Sequence, residues 1–277
     1  MADQPRKAPK ATEARVVRTE RITPHMVRVV LGGSGLDAFE VGTYTDHYVK
    51  LLFAPEGVAY PEPFDMDRIR EEFPREQWPT TRTYTVRAWD PVHRELTIDF
   101  VVHGDEGLAG PWAARATADD TIRFLGPGGG YTPDPAADWH LLAGDESALP
   151  AIAVALERLP AGARVHAFVE ISDAAEEQKF AMADGIHVTW LHRGDRPAGE
   201  AVVEAVQTLD FPAGDVHAFV HGEAGFVKEL RRHLRLDREV PRERLSISGY
   251  WRLGKSDEAW RAIKREWNDQ VEREQEN

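Results

Sequence analysis

The stretch Trp139–Pro160, "WHLLAGDESALPAIAVALERLP", decides how this chain is read. It opens on a short apolar run, breaks at "GDES", and continues as an alanine- and leucine-rich segment of helical character. A strand feeding directly into a helix is the unit from which parallel sheets are built. The alternation continues downstream. "RVHAFVEI" (164–171), "HVTWLHR" (187–193), "DVHAFVHG" (215–222) and "RLSISGYW" (244–251) read as strands, while "GEAVVEAVQTL" (199–209) and "GFVKELRRHL" (225–234) read as helices. An α/β domain is expected over residues 136–254. After it, "SDEAWRAIKREWNDQVEREQEN" predicts a separate helix over 255–277, with Ser256 as N-cap and Asp257 and Glu258 at the positive helix end. Trp260, Ile263, Trp267 and Val271 recur at helical spacing, a stripe that packs on the body of the protein.

Upstream the texture is different. "RVVRTERIT" and "MVRVVLGG" flank Pro24–His25, and "DHYVKLLFA", "RTYTVRAWD", "ELTIDFVVH" and "TIRFLGPGGG" follow, with "DPVH" as a turn. Short strands of this kind predict a barrel or sandwich over residues 1–135, interrupted by one helix from Leu108 to Ala116. The proline- and charge-rich stretch 54–81 is expected to be a mobile surface loop. The two textures meet at "GYTPDPAAD" (130–138), where a glycine and two prolines fall together.

Composition narrows the function. The 277 residues carry a net charge of −13, so a nucleic-acid backbone would meet a repulsive field. There is no cysteine, which removes disulfides, thiolate catalysis and iron–sulfur clusters. No apolar run reaches the roughly 20 residues of a membrane span, and the N-terminus has no apolar signal core, so a cytoplasmic location without membrane insertion is expected. The eleven histidines show no metal-ligand spacing, and no nucleophile elbow is present.

Two constellations suggest a ligand. In "RTYTVR" (82–87), a strand places Arg82 and Tyr84 on one face and Thr85 and Arg87 on the other. A flavin requires a cation for phosphate, an aromatic surface for its ring and a hydrogen-bond partner near the ring nitrogens, and Arg82, Tyr84 and Thr85 offer these. Alone, the motif reads as an ordinary strand, since Arg-x-Tyr-Thr is common in strands. The second constellation, "DFVVHGDEGLAGPWA" (99–113), runs from a strand through a glycine-rich turn into a helix start, where free N–H groups bind anions.

These two segments, with "AGDESALPAI" (143–152) and "SGYWRLGKSDEAW" (248–260), resemble the siderophore-interacting protein family of the ferredoxin-reductase superfamily. They span nearly the whole chain in the expected order. The resemblance implies an antiparallel Greek-key β-barrel that binds FAD, followed by a nucleotide-binding-like α/β domain, and an activity that reduces ferric siderophores to release iron. It implies that Arg82 meets FAD phosphate, Tyr84 packs on the isoalloxazine and Thr85 bonds near its reactive nitrogen. Asp99, Phe100, Val101 and His103 would line the FAD, and Ala109, Gly110 and Trp112 would sit at its diphosphate and adenine end. Gly110 departs from the family, which often has serine there. Lys50, Arg252 and Lys255 become the cations for an anionic chelate.

Asp145, Ser147 and Ala148, at the start of the helix after "LLAG", are the candidates for a nicotinamide nucleotide, NADPH or NADH. Ser147 and the Ser147 and Ala148 N–H groups suit a diphosphate. Asp145 and Glu146 would repel it, which predicts weak binding or a donor such as ferredoxin. Glu223 repeats the pattern at "VHGEAG", and His192 and Arg193 are the cations near a 2′-phosphate. No side chain acts as catalyst, since electron transfer belongs to the flavin. Competing readings are a general flavin reductase or diaphorase and a non-enzymatic siderophore carrier.

Overall fold

A computed structural model describes residues 10–275, so the ends of the expected domains, residues 1–9 and 276–277, lie outside the described residues. The chain forms two compact units, one holding the residues up to Thr43 with His47–Gly129, the other Tyr44–Asp46 with the residues from Gly130 onward.

The first unit contains β1 (Thr12–Thr23), β2 (Met26–Gly32), β3 (Tyr48–Phe53), α1 (Met66–Glu72), β4 (Thr80–Thr85), β5 (Ala88–Asp90), β6 (Glu95–Val101), α2 (Ala109–Arg115) and β7 (Thr121–Gly128). The strands form one antiparallel sheet in the order β4-β3-β7-β1-β2-β6-β5. The β2–β3 and β6–β7 connections each pass over two strands, the expected Greek-key type of path. Val29, Leu31, Val49, Leu51, Ile98, Phe100 and Phe124 alternate inward and are fully buried, while Ala109 and Ala113 of α2 join the same core. Small residues there let the helix seat closely against the strands.

The sheet is barrel-like but not closed by hydrogen bonds. Among the described residues no hydrogen-bonded ladder joins the edge strands β4 and β5. They are joined through the chain instead. Val86 and Arg87 span the gap, Val86 N donating to His47 O at 2.6 Å and Arg87 N to Thr97 O at 2.9 Å. The sheet curls until its edges are two residues apart, and stays open between them.

The stretch 54–81 is corrected. It carries α1, capped by Asp65, whose side chain accepts from Asp67 N and Arg68 N. Met66 and Ile69 pack with Leu52 beneath Tyr60, Phe64, Phe73 and Trp78. The prolines concealed a short helix with an apolar face and a satellite core of its own.

The second unit contains β8 (Trp139–Gly144), α3 (Leu149–Arg158), β9 (Val165–Ile171), β10 (Val188–His192), α4 (Glu200–Gln207), β11 (Val216–Glu223), α5 (Ala224–Arg232), β12 (Leu245–Trp251) and α6 (Asp257–Gln275). Its parallel sheet has the order β10-β9-β8-β11-β12. Trp139, Leu141, Ala143, Ala218 and Val220 face α4 and α5. A Cβ on Gly144 would stand 2.7 Å from Ala148 Cβ and 3.0 Å from Ile152 Cδ1, so α3 covers the other face. The order reverses between β8 and β11, the switch point where open α/β sheets hold ligands.

The C-terminal helix is capped as expected, Ala259 N donating to Ser256 Oγ. It packs within the second unit through buried Trp260, Val271 and Gln275, the Gln275 amide donating to Lys228 O. No described helix is long and apolar enough to cross a membrane.

Candidate functional site

The register of β3 against β4 sorts the flavin candidates. Arg82 pairs with Leu51 and Tyr84 with Val49, both partners fully buried, so Arg82 and Tyr84 share one face. Thr83 pairs with Lys50 and Thr85 with Tyr48 on the opposite face. Lys50 and Thr83 are exposed there, whereas Thr85 is buried. The pleat thus turns Lys50 away from Arg82 and Tyr84 and puts it on the side of Thr85.

Tyr84 is half-buried and rests on Phe100, ring centroids 4.4 Å apart, and Trp112 lies 5.6 Å from Phe100 on the α2 side. Phe100 is fully buried, and its side chain supports Tyr84 from beneath.

Asp99 is paired with an arginine. Next to Phe100 on β6, it points to the opposite face and accepts from Arg28 Nε at 2.7 Å and Nη2 at 2.8 Å. Arg87 has its Nε 3.8 Å from the same carboxylate. A pocket of about 250 Å³ on that face is lined by Arg18, Arg28, Arg87 and Thr97, but its cations are held by Glu95 and Asp99. It is a salt-bridge ladder across the sheet.

Val101 is half-buried and His103 exposed at the end of β6, where the glycine turn leads to Ala109. Gly110 has a steric reason to lack a side chain: a Cβ would stand 3.0 Å from Val101 O, so α2 approaches the strand end closely. A half-buried cation and an aromatic with a buried ring beneath it share one face beside an open sheet edge. The residues present fit FAD.

The nucleotide candidates sit differently from expectation. Asp145 follows β8 and is 2% exposed. Its Oδ1 accepts from Ser147 N at 2.9 Å and Ser147 Oγ at 2.6 Å, and its Oδ2 from Glu223 N and Trp251 Nε1, both at 2.8 Å. Ala148 N donates to Asp145 O. The donors of Ser147 and Ala148 are therefore already bonded within the protein. Burial pushes the Asp145 carboxyl up to about 6, against the pull of its hydrogen bonds. Gly222, at φ +141°, has no Cβ because one would lie 2.6 Å from Asp145 Oδ2.

Glu223 closes the neighbouring helix start. Its Oε2 accepts from Gly225 N and Phe226 N, and its Oε1 from Arg252 Nη1 at 3.0 Å and Leu253 N at 3.1 Å. Arg252 is thus an ion-pair partner of Glu223, while Lys255 is exposed. Arg193 is held between Glu146 and Glu170, and His192 Nε2 meets Glu177 at 2.8 Å. Trp251 was missed as a partner of Asp145; its only sequence signal was a large polar-tipped aromatic at a strand end.

The fold is shared with the ferredoxin reductase of carbazole 1,9a-dioxygenase at a TM-score of 0.64 and 15% identity, over 89% of this chain and 71% of that one. Residues 15–131 match the siderophore-interacting FAD-binding domain and residues 137–254 the siderophore-interacting protein model. The chain belongs to the siderophore-interacting protein family. It is 33% identical to the ferric vibriobactin reductase of Vibrio cholerae, over 88% of this chain and 90% of the relative. It is 32% identical to the NADPH-dependent ferric-chelate reductase of Escherichia coli, over 86% and 92%. The crystal structure of a siderophore utilization protein from T. fusca is similar at 39% identity and a TM-score of 0.78, over 91% of this chain and 96% of that one.

Proposed function

We propose that this chain is a cytoplasmic, FAD-dependent ferric-siderophore reductase that takes electrons from NADPH or NADH. The carrying observation is the single face shared by Arg82 and Tyr84, with Phe100 beneath the tyrosine ring, in a chain of this family. The named activities of the Vibrio cholerae and Escherichia coli relatives support the same reading.

FAD held there would supply the redox chemistry that links a two-electron nicotinamide donor to one-electron reduction of Fe(III). The protein's residues bind and position. Arg82 provides the cation for phosphate, Tyr84 a ring surface, and Thr85 a hydrogen bond from the strand end. Val101, His103, Ala109, Gly110 and Trp112 frame the strand-to-helix turn, with Gly110 seated against Val101 O. Phe100 and Asp99 support this frame from the core and from the outer face. Lys50 and Lys255, both exposed, supply positive charge to an anionic chelate against the net negative field. Ferrous iron holds hard oxygen ligands weakly, which releases the metal.

The test is the visible spectrum of the purified protein. Flavin bands that bleach with NADPH or NADH and return on adding a ferric siderophore are expected, and Lys50→Ala with Lys255→Ala should weaken chelate turnover while FAD stays bound. A protein that gains no flavin absorbance with added FAD overturns the reading.

A further inference from the structure

An open α/β sheet holds a ligand's phosphates at its switch point, against helix N-termini. Here that point lies between the carboxyl ends of β8 and β11, where α3 and α5 begin. Each helix start already holds an anion of the protein's own. Asp145 takes Ser147 N and Ser147 Oγ at α3, and Glu223 takes Gly225 N and Phe226 N at α5. Each carboxylate is also held from behind. Trp251 and Glu223 N bond Asp145, and Arg252 and Leu253 N bond Glu223.

A dinucleotide diphosphate arriving here would have to break these hydrogen bonds and face two buried carboxylates at close range. Both terms oppose it. The nearby cation suited to a 2′-phosphate, Arg193, is likewise spent on Glu146 and Glu170.

We infer that Asp145 and Glu223 are specificity determinants for the electron donor: they close both helix starts to a diphosphate, and the donor is recognised by its nicotinamide end alone. The inference rests on the reading of the chain as a flavin reductase with a nicotinamide donor. It makes the ADP half of the donor a bystander, and NADPH and NADH equivalent.

The test is a calorimetric titration of the FAD-loaded protein with 2′-phospho-ADP-ribose, a probe that carries the diphosphate and 2′-phosphate but no nicotinamide. Bound FAD keeps the probe out of the flavin's own adenylate position. The wild type is expected to bind it no tighter than about millimolar. Glu223→Gln, which removes one like charge and leaves an oxygen to accept from the helix start, is expected to tighten binding by about tenfold. Micromolar binding by the wild type overturns the inference, as does a folded Glu223→Gln variant with unchanged affinity. Should that variant fail to fold, the wild-type value decides alone. Failure of the underlying reading shows elsewhere: dithionite-reduced protein that leaves a ferric siderophore unreduced defeats the reductase assignment, whatever the titration gives.

Discussion

Trp251 and Asp145 stand 106 positions apart and share a hydrogen bond of 2.8 Å from the indole Nε1 to the carboxylate Oδ2. The same oxygen accepts Glu223 N from the neighbouring strand. One buried carboxylate therefore ties together the carboxyl ends of β8, β11 and β12. Burial favours its protonated form, and its donors favour the ionised one.

Trp251→Phe keeps an aromatic ring, though a smaller one, and deletes the indole donor. Loss of one hydrogen bond to a buried charged group should cost about 1–3 kcal/mol, read as a lower midpoint in urea unfolding. The Asp145 titration should also move further up from about 6, since one of its lowering influences is gone. An unchanged midpoint would show that the bond contributes nothing.

Arg82→Ala should separate cofactor retention from folding. Arg82 is half-buried on an edge strand, so the fold should survive with its circular dichroism intact. Loss of a charge-assisted contact to phosphate is expected to weaken FAD affinity by about tenfold or more, measured as flavin absorbance retained through gel filtration. Full flavin occupancy in this variant would remove Arg82 from the phosphate site.

Phe100→Ala should behave in the reverse way. The ring is fully buried between Tyr84 and Trp112, so truncation opens a core cavity and should cost about 3–5 kcal/mol. Phe100→Leu, closer in volume, should recover much of that stability and leave FAD affinity near the wild-type value. A Leu variant that is stable but has lost its flavin would mean that Phe100 touches the cofactor after all.

Stability should fall on acidification. Burial lowers the pKa of His140, His166 and His217, and pushes His221 down to about 3. The unfolded chain therefore binds more protons below about 6.5, so this stability is fully present above that pH and is lost as pH falls. Asp145 and Glu170, both raised by burial, work the other way. For Asp145 the cost is present above about 6 and disappears as pH drops towards 3.8. Exposed His93, raised by its bond to Asp90, is another small opposing group. Four imidazoles outweigh these, and the melting temperature should drop by several degrees between pH 7 and pH 5. A melting temperature that rises over this interval would place the balance with the carboxyls.

Local pattern was enough for much of this molecule. Alternation in "RTYTVR" fixed which of its arginines shares a face with Tyr84, because the pleat has a period of two whatever the strand's neighbours. Strand-then-helix texture from Trp139 onward gave the parallel unit, and Ser256 announced the last helix, since caps and periodicity act over a few residues. Side-chain ownership was not legible. "GDES" looks like a phosphate-binding turn until Trp251 and Glu223 arrive from more distant strands to complete the Asp145 carboxylate's hydrogen bonds. The sequence does not show that β11 places Glu223 beside Arg252, nor that β2 brings Arg28 across to Asp99. Hydrogen bonds and ion pairs saturate: a donor already bonded to a buried acid has little left for a ligand. Which donors are taken depends on strand order and register, and those are settled only when distant segments pack.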